Sequence, residues 1–222
     1  MGTVFDHRKY IGSDHYQLWD LVGRAEFEFL RRPKPFGAGI SQGSRVLDIG
    51  CGPSRLAQHL VPWLRRGSYI GLDSSRLIIE QGYWYELDFR TRIEKVPRFV
   101  ASMDFEFELL GDMPPPDVSI AVSLMTHLSL MDIRWLLASL RKNVLKDHTF
   151  FATYVSPSSK SWKNSEISNA TSVFRYTAQE VGDIAQKVGW QVRAVSMPAW
   201  QHVVEEMFPP GYFRDKVQRH HM

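Results

Sequence analysis

An acid, a glycine pair and a second acid make up the part of this chain best suited to chemistry. Arg45 to Arg55 read RVLDIGCGPSR: a short apolar strand ends at Asp48 and runs into Gly50 and Gly52, and a second strand, YIGLD, ends at Asp73. Gly50 and Gly52 lack a β-carbon, so backbone and ligand can approach closely. The helix that follows points its unpaired N–H groups and positive dipole end at the same place. Asp73 stands roughly twenty residues beyond the glycines, where a carboxylate accepts hydrogen bonds from ribose hydroxyls. This is a site for an adenosine-containing cofactor. A nicotinamide dinucleotide would use the same logic, but its fingerprint wants a third glycine, and the position three after Gly52 holds Arg55. A glycine turn with no ligand would leave both strand-end acids unexplained. Cys51, between the glycines, suits its place by small size rather than reactivity.

The arrangement resembles motif I and the post-motif-I acid of class I S-adenosylmethionine (SAM)-dependent methyltransferases. The resemblance widens to a bacterial small-molecule methyltransferase-like group through several ordered matches. These are His7 with Ile11–Gly12, Gly23 through FEFL, DIGCGPSR, Met103–Asp104–Phe105–Glu106–Phe107 and Thr126–His127–Leu128. They run from residue 7 to about residue 155, and the likeness fades after Gly189. The resemblance implies SAM as cofactor and S-adenosylhomocysteine (SAH) as product. It implies cofactor contacts from Asp48, Gly50, Cys51, Gly52, Arg55, Asp73, Ser74, Met103, Asp104, Phe105 and Ser123. Asp48 would face the cofactor's ammonium, and the helix terminus its carboxylate. Asp104 and Phe105 would lie at the adenine edge, although a solvated turn and plain core packing are the simpler readings of these two. In many such enzymes the N-terminal segment folds over the cofactor. Tyr10, His15, Tyr16, Trp19 and, from further along, Tyr154 are therefore expected at the acceptor pocket. The alternative is that Tyr16 and Trp19 only pack the helix on the sheet.

Methyl transfer from a sulfonium is an in-line displacement with an activated leaving group, so an enzyme mainly aligns the acceptor and excludes water. A hydroxyl or protonated amine acceptor also needs a base. His127 stands just beyond strand DVSIAVSLM, where an imidazole could take that proton. A histidine between a strand and a helix often only bonds a backbone group, so both roles stay open. The same strand ends in SLMTH, without the Asn/Asp/Ser-Pro-Pro-aromatic segment that grips base amino groups, so a nucleic-acid acceptor is not expected. No Asp…Asp-Asn set stands where Mg²⁺-dependent relatives hold their metal. His220 and His221 lack a spaced partner ligand and read as a solvated tail. The expectation is metal-independent O-methylation of a small molecule. N-methylation, or a non-catalytic binding protein on the same fold, are the alternatives.

These residues have to be positioned by an α/β frame. Short apolar strands alternate with helices: 14–31, about 54–64, 75–89, 129–145 and 177–189. The implied fold is Rossmann-like and doubly wound, with a mostly parallel seven-stranded sheet and helices on both faces. WQVRAVSM and QHVVEEMF are expected as the closing strands. SLMD and TAQE read as capping boxes. A single domain over 1–222 is expected, with residues 1–40 as a helical cap and the polar, Ser-rich stretch 156–176 as a lid or disordered. The chain carries a net charge of +3 without a basic run, which disfavours a nucleic-acid partner. One cysteine, no apolar leader and no long apolar stretch lead to the expectation of a cytoplasmic protein with no membrane association. Oligomeric state is not legible.

Overall fold

Most of the strand segments are apolar along their length rather than alternating, the pattern of strands covered on both faces. In the computed structural model, Val46–Ile49 (β1), Tyr69–Asp73 (β2), Arg98–Ala101 (β3), Val118–Ala121 (β4) and Thr149–Ala152 (β5) form one sheet ordered β3-β2-β1-β4-β5. All four pairings are parallel. The structure describes residues 8–34, 37–111, 113–157, 162–169 and 172–193, with side chains from Trp19 onward, those of residues 108 and 109 apart. The chain lays β1, β2 and β3 outward, then returns to place β4 on the other side of β1. Strand order therefore reverses between β1 and β4, and a ligand crevice belongs there, beyond the carboxyl ends.

Among the described residues the sheet has five strands, not the seven expected. Trp190 does not open a sixth: its N–H bonds Ala185 O, its indole Nε1 donates to Leu137 O at 2.9 Å, and its ring packs on Phe150 and His148. Residues 191–193 are in no strand, and the remainder of both expected closing strands lies outside the described residues.

Helices Arg8–Arg31 (α1), Ala57–Trp63 (α2), Arg76–Gln81 (α3), Phe89–Lys95 (α4), Leu130–Asn143 (α5) and Ala178–Lys187 (α6) complete the described frame. Side chains alternate across each strand. Val46 and Tyr69 therefore join Ala25, Leu30, Ala57 and Leu60 in one core layer, under α1 and α2. Leu47, Ile49, Ile70 and Leu72 join Leu136 and Leu140 of α5 in the other. The single helix expected over 75–89 is two. Gly82–Glu86 is a π turn, and Asp88 starts α4 anew by accepting from Thr91 N at 2.9 Å. TAQE is a complete capping box. SLMD is half of one, because Ser129 N donates to Ser168 Oγ at 2.6 Å while Ser129 Oγ caps Asp132 N.

Within 156–176, Phe174 and Tyr176 are buried in a third apolar cluster with Met125, Ile133 and Leu137. Phe174 N bonds Thr126 O at 2.8 Å and Asn169 N bonds His127 O at 3.1 Å. The described part of this stretch is therefore stitched along the exit of β4, and its described residues form no strand beyond the Val155–Arg175 bridge. No described helix is long and apolar enough to cross a membrane.

At the amino end of β4 and β5, His148 closes the sheet. Its Nδ1 meets Pro116 O and its Nε2 meets the buried Ser119 Oγ, both at 3.0 Å. Burial holds this imidazole below its ordinary value of 6.5, against the pull of Asp117 and Asp147. The unfolded chain therefore takes up the proton first. The stabilising contribution is complete above the unfolded-state value and is lost as pH falls through it. Urea midpoints should begin to drop as pH falls through about 6.5, and His148→Gln should flatten that slope.

Candidate active site

The loop leaving β1 is held from below by β2. Gly50 N and Cys51 N both donate to Leu72 O, at 2.7 and 3.1 Å. Gly50 has φ +73°, and a β-carbon there would sit 2.9 Å from the Leu124 side chain. Gly52 has φ +54° and open space where its β-carbon would be. That open hollow is a cradle with no side chain to fill it. Beside it, Asp73 Oδ2 accepts from Gly52 N at 2.9 Å and Oδ1 from Ser75 N at 3.0 Å. Each oxygen keeps a lone pair to offer outward. The geometry of the turn fits the adenosyl cofactor expected from the sequence: room over Gly52, and a half-exposed carboxylate beside it.

Asp48 lies beneath the turn, buried, with Oδ2 accepting from the Tyr69 hydroxyl at 2.8 Å. Burial pushes its carboxyl up to about 7, partly opposed by the Tyr69 bond and reinforced by the nearby Glu26 charge. Glu26, on α1, is itself raised by burial, with Arg55 pulling it back.

Residues 102–105 come to the same rim, because Ser102 N bonds Asp73 O at 2.9 Å. Met103 and Asp104 are exposed, and Phe105 is half-buried at φ +48°. Two bonds from α5 fix this turn: Trp135 Nε1 to Asp104 O at 3.0 Å and Ser139 Oγ to Phe105 O at 2.8 Å. Ser74 is exposed directly after Asp73.

Across the crevice, Ser123 takes φ +63° at the end of β4, its N–H bonding Thr153 Oγ1 at 2.8 Å. Of the four non-glycine residues with positive φ among the described residues, Ser54, Phe105 and Ser123 stand around this site. Such conformations persist only where surroundings over-determine them, and they cluster at functional sites. Arg55 reaches over from the glycine turn. Its Nε and Nη2 meet Glu26 at 3.1 and 2.6 Å, its Nη2 meets Ser123 Oγ at 3.2 Å, and its guanidinium lies 5.2 Å from the Trp19 ring centre.

His127 lies in a short turn after β4, with Nδ1 3.3 Å from Ser172 O. Tyr154 packs against the Met125–Phe174 cluster. Tyr10, His15 and Tyr16 lie on α1, their side chains outside the described set. Sequence reading passed over Glu26, Ser54 and Gly82. Glu26 had a signal, being an acid on the apolar side of an amphipathic helix. Gly82 had none, since nothing nearby marks it as touching the turn: a β-carbon there would meet Ser54 Oγ at 2.4 Å and the Pro53 carbonyl carbon at 2.6 Å.

At the start of α5, a cavity of about 930 Å³ is lined by Leu130, Met131, Trp162, Lys163 and Arg175 among others. The Arg175 guanidinium sits 4.7 Å from the Trp162 ring centre, and Trp162 is 41% exposed. Asn164 fixes this wall by bonding both the N–H and the carbonyl of Arg175 and the Trp162 indole.

No protein-family model matches the sequence, and no curated protein does. Solved structures do match. Magnesium protoporphyrin IX methyltransferase from Synechocystis PCC 6803, with bound SAM, superposes with a TM-score of 0.53 at 15% identity, covering 88% of this chain and 78% of that one. A DhpI–SAH complex gives 0.52 at 19% identity, over 83% of each chain. Human N-acetylserotonin methyltransferase in complex with SAM gives 0.55 at 12% identity, over 79% of this chain and 48% of that one. The fold is that of class I SAM-dependent methyltransferases.

Proposed function

We propose that the chain is a SAM-dependent methyltransferase acting on a small molecule by metal-independent in-line transfer, with SAH as product. The observation that carries this reading is the open cradle at Gly52 beside the anchored Asp73 carboxylate. Bound SAM supplies a methyl group already activated on a sulfonium. The chain's own residues supply position. Asp73 keeps outward lone pairs for ribose hydroxyls, and its grip on Gly52 N and Ser75 N orients them. Met103, Asp104 and Phe105 would hold the adenine, with Ser74 available to the ribose. Asp48, once ionised, would set a buried negative potential for the cofactor's ammonium, while Gly50 and Cys51 keep the turn tight against β2.

His127 is the candidate base. Donation of its Nδ1–H to Ser172 O would leave the Nε2 lone pair available to take a proton. The acceptor's body would lie toward the Trp162–Arg175 wall, whose cavity has the size and mixed lining of a small-molecule pocket. Its rim residue Ser129 follows His127 by two positions, at most about 7 Å along the chain. Trp19 and Tyr154, with Tyr10, His15 and Tyr16 from α1, complete the acceptor side. O-methylation is the first choice and N-methylation of a small molecule the second. The single cysteine supports a reducing, cytoplasmic setting.

Titration calorimetry with SAM and SAH tests this. Wild type should bind in the micromolar range, and Asp73→Ala should weaken binding about 100-fold or more, since it removes a charge-assisted acceptor and releases Gly52 N. A folded wild type that binds neither would sink the reading.

A further inference from the structure

Arg55 makes more connections than a cofactor ligand needs. It belongs to the glycine turn, yet its side chain leaves the turn and joins two other elements. On one side is α1, through a two-pronged pair with Glu26 and stacking on Trp19. On the other is the end of β4, through Ser123 Oγ. The Glu26 side chain is 3% exposed and that of Arg55 24%, so the pair is shielded and competes little with water. The helix also touches the turn through its backbone, because Gly23 lies directly over the Arg55 carbonyl. β1 and β4 flank the point of strand reversal, so Arg55 bridges the exits of the two strands and ties both to α1.

We propose that Arg55 is a positioning residue that couples α1 to the cofactor turn, so that filling the turn tightens the N-terminal helix over the crevice. This rests on the SAM reading above. A planar guanidinium holding Glu26 by two bonds resists both sliding and rotation, which a point charge would allow. A shift of the Gly50–Arg55 backbone on binding therefore reaches α1 through a rigid link. The same link reaches Ser123, whose left-handed backbone sets the exit of β4 four residues before His127. Arg55 thus ties cofactor, acceptor roof and candidate base to one side chain without touching the reacting atoms.

The test is backbone hydrogen exchange of residues 19–31 in the full chain, with and without saturating SAH, alongside SAH calorimetry. In wild type, SAH should slow exchange in α1 at least about tenfold. Glu26→Gln should bind SAH within about threefold of wild type, while the SAH-dependent slowing falls below about twofold; Arg55→Met, measured at saturating SAH, should lose the slowing to the same extent. Arg55→Lys, which keeps the charge but not the fork, should recover part of it. A merely structural role would loosen α1 in all states and leave the SAH response unchanged; that result overturns the proposal. So does an α1 in wild type that ignores bound SAH. Loss of SAH binding in Arg55→Met, with Glu26→Gln still coupled, would make Arg55 a direct cofactor ligand and overturn it too. Absence of SAH binding by wild type would instead overturn the cofactor reading, and calorimetry separates the two failures.

Discussion

Gly23→Ala should unseat α1 and cost about 3 kcal/mol or more of stability, read from urea unfolding. Helix propensity alone predicts the opposite sign, since alanine is favoured over glycine in a helix interior by about 1 kcal/mol. Contact decides. A β-carbon at position 23 would lie 2.3 Å from the Arg55 carbonyl oxygen and 3.1 Å from its carbonyl carbon. Both are backbone atoms of a turn already held by β2, so no rotamer change relieves the overlap. Either α1 lifts, breaking the Arg55–Glu26 pair and leaving a buried carboxylate unpaired, or the glycine turn deforms. SAH affinity should fall where the glycine turn is what deforms, because that disturbs the cradle at Gly52. A variant as stable as wild type would show that α1 does not rest on this turn.

Asp48→Asn should stabilise the protein at alkaline pH and do little in acid. The folded-state carboxyl lies at about 7 against an ordinary 3.8, so the folded chain holds this proton more tightly than the unfolded one. Stability from this group is greatest below the unfolded value and declines as pH rises from about 4 to about 7. Above that window the charged, buried carboxylate is a standing penalty on the order of a few kcal/mol. Asparagine keeps an oxygen for the Tyr69 hydroxyl and carries no charge to bury. The gain in urea midpoint should therefore appear at pH 8 and vanish near pH 4. The same variant should bind SAH more weakly if Asp48 supplies the negative potential proposed for it. A gain in stability with a loss in affinity separates the two roles. Equal stability of the two proteins at pH 8 would show that this carboxyl is not held protonated by burial.

Where local rules dominate, sequence reading and structure agree. β1, β2 and the glycine turn between them follow from an apolar run ended by an acid and two glycines, and the TAQE cap follows from hydroxyl and carboxylate at the right spacing. Where a residue's partner is distant, they part. The helix expected over 75–89 breaks because Gly82 packs on Pro53–Ser54 and Asp88 finds a better use as a cap. No strand opens among the described residues 190–193, because the Trp190 indole is used to close α6 on α5 and β5. SLMD is half a box because Ser168, far along the chain, takes the bond that Asp132 would have made.

The same division runs through the candidate site. The sequence by itself determined the residues that local geometry demands: Gly50 and Gly52, which must take positive φ, and the acids at the carboxyl ends of the two strands, Asp48 next to last in β1 and Asp73 last in β2. Only the tertiary structure decided what those residues face. It turned Asp48 down onto Tyr69, brought Ser102–Phe105 to Asp73, and folded α1 back so that Glu26 and Trp19 meet Arg55. Spacing along a chain constrains backbone conformation over a few residues, because that is the reach of sterics and local hydrogen bonds. Pairing across tens of residues depends on which faces the sheet and helices bury together, and is settled only when the core closes.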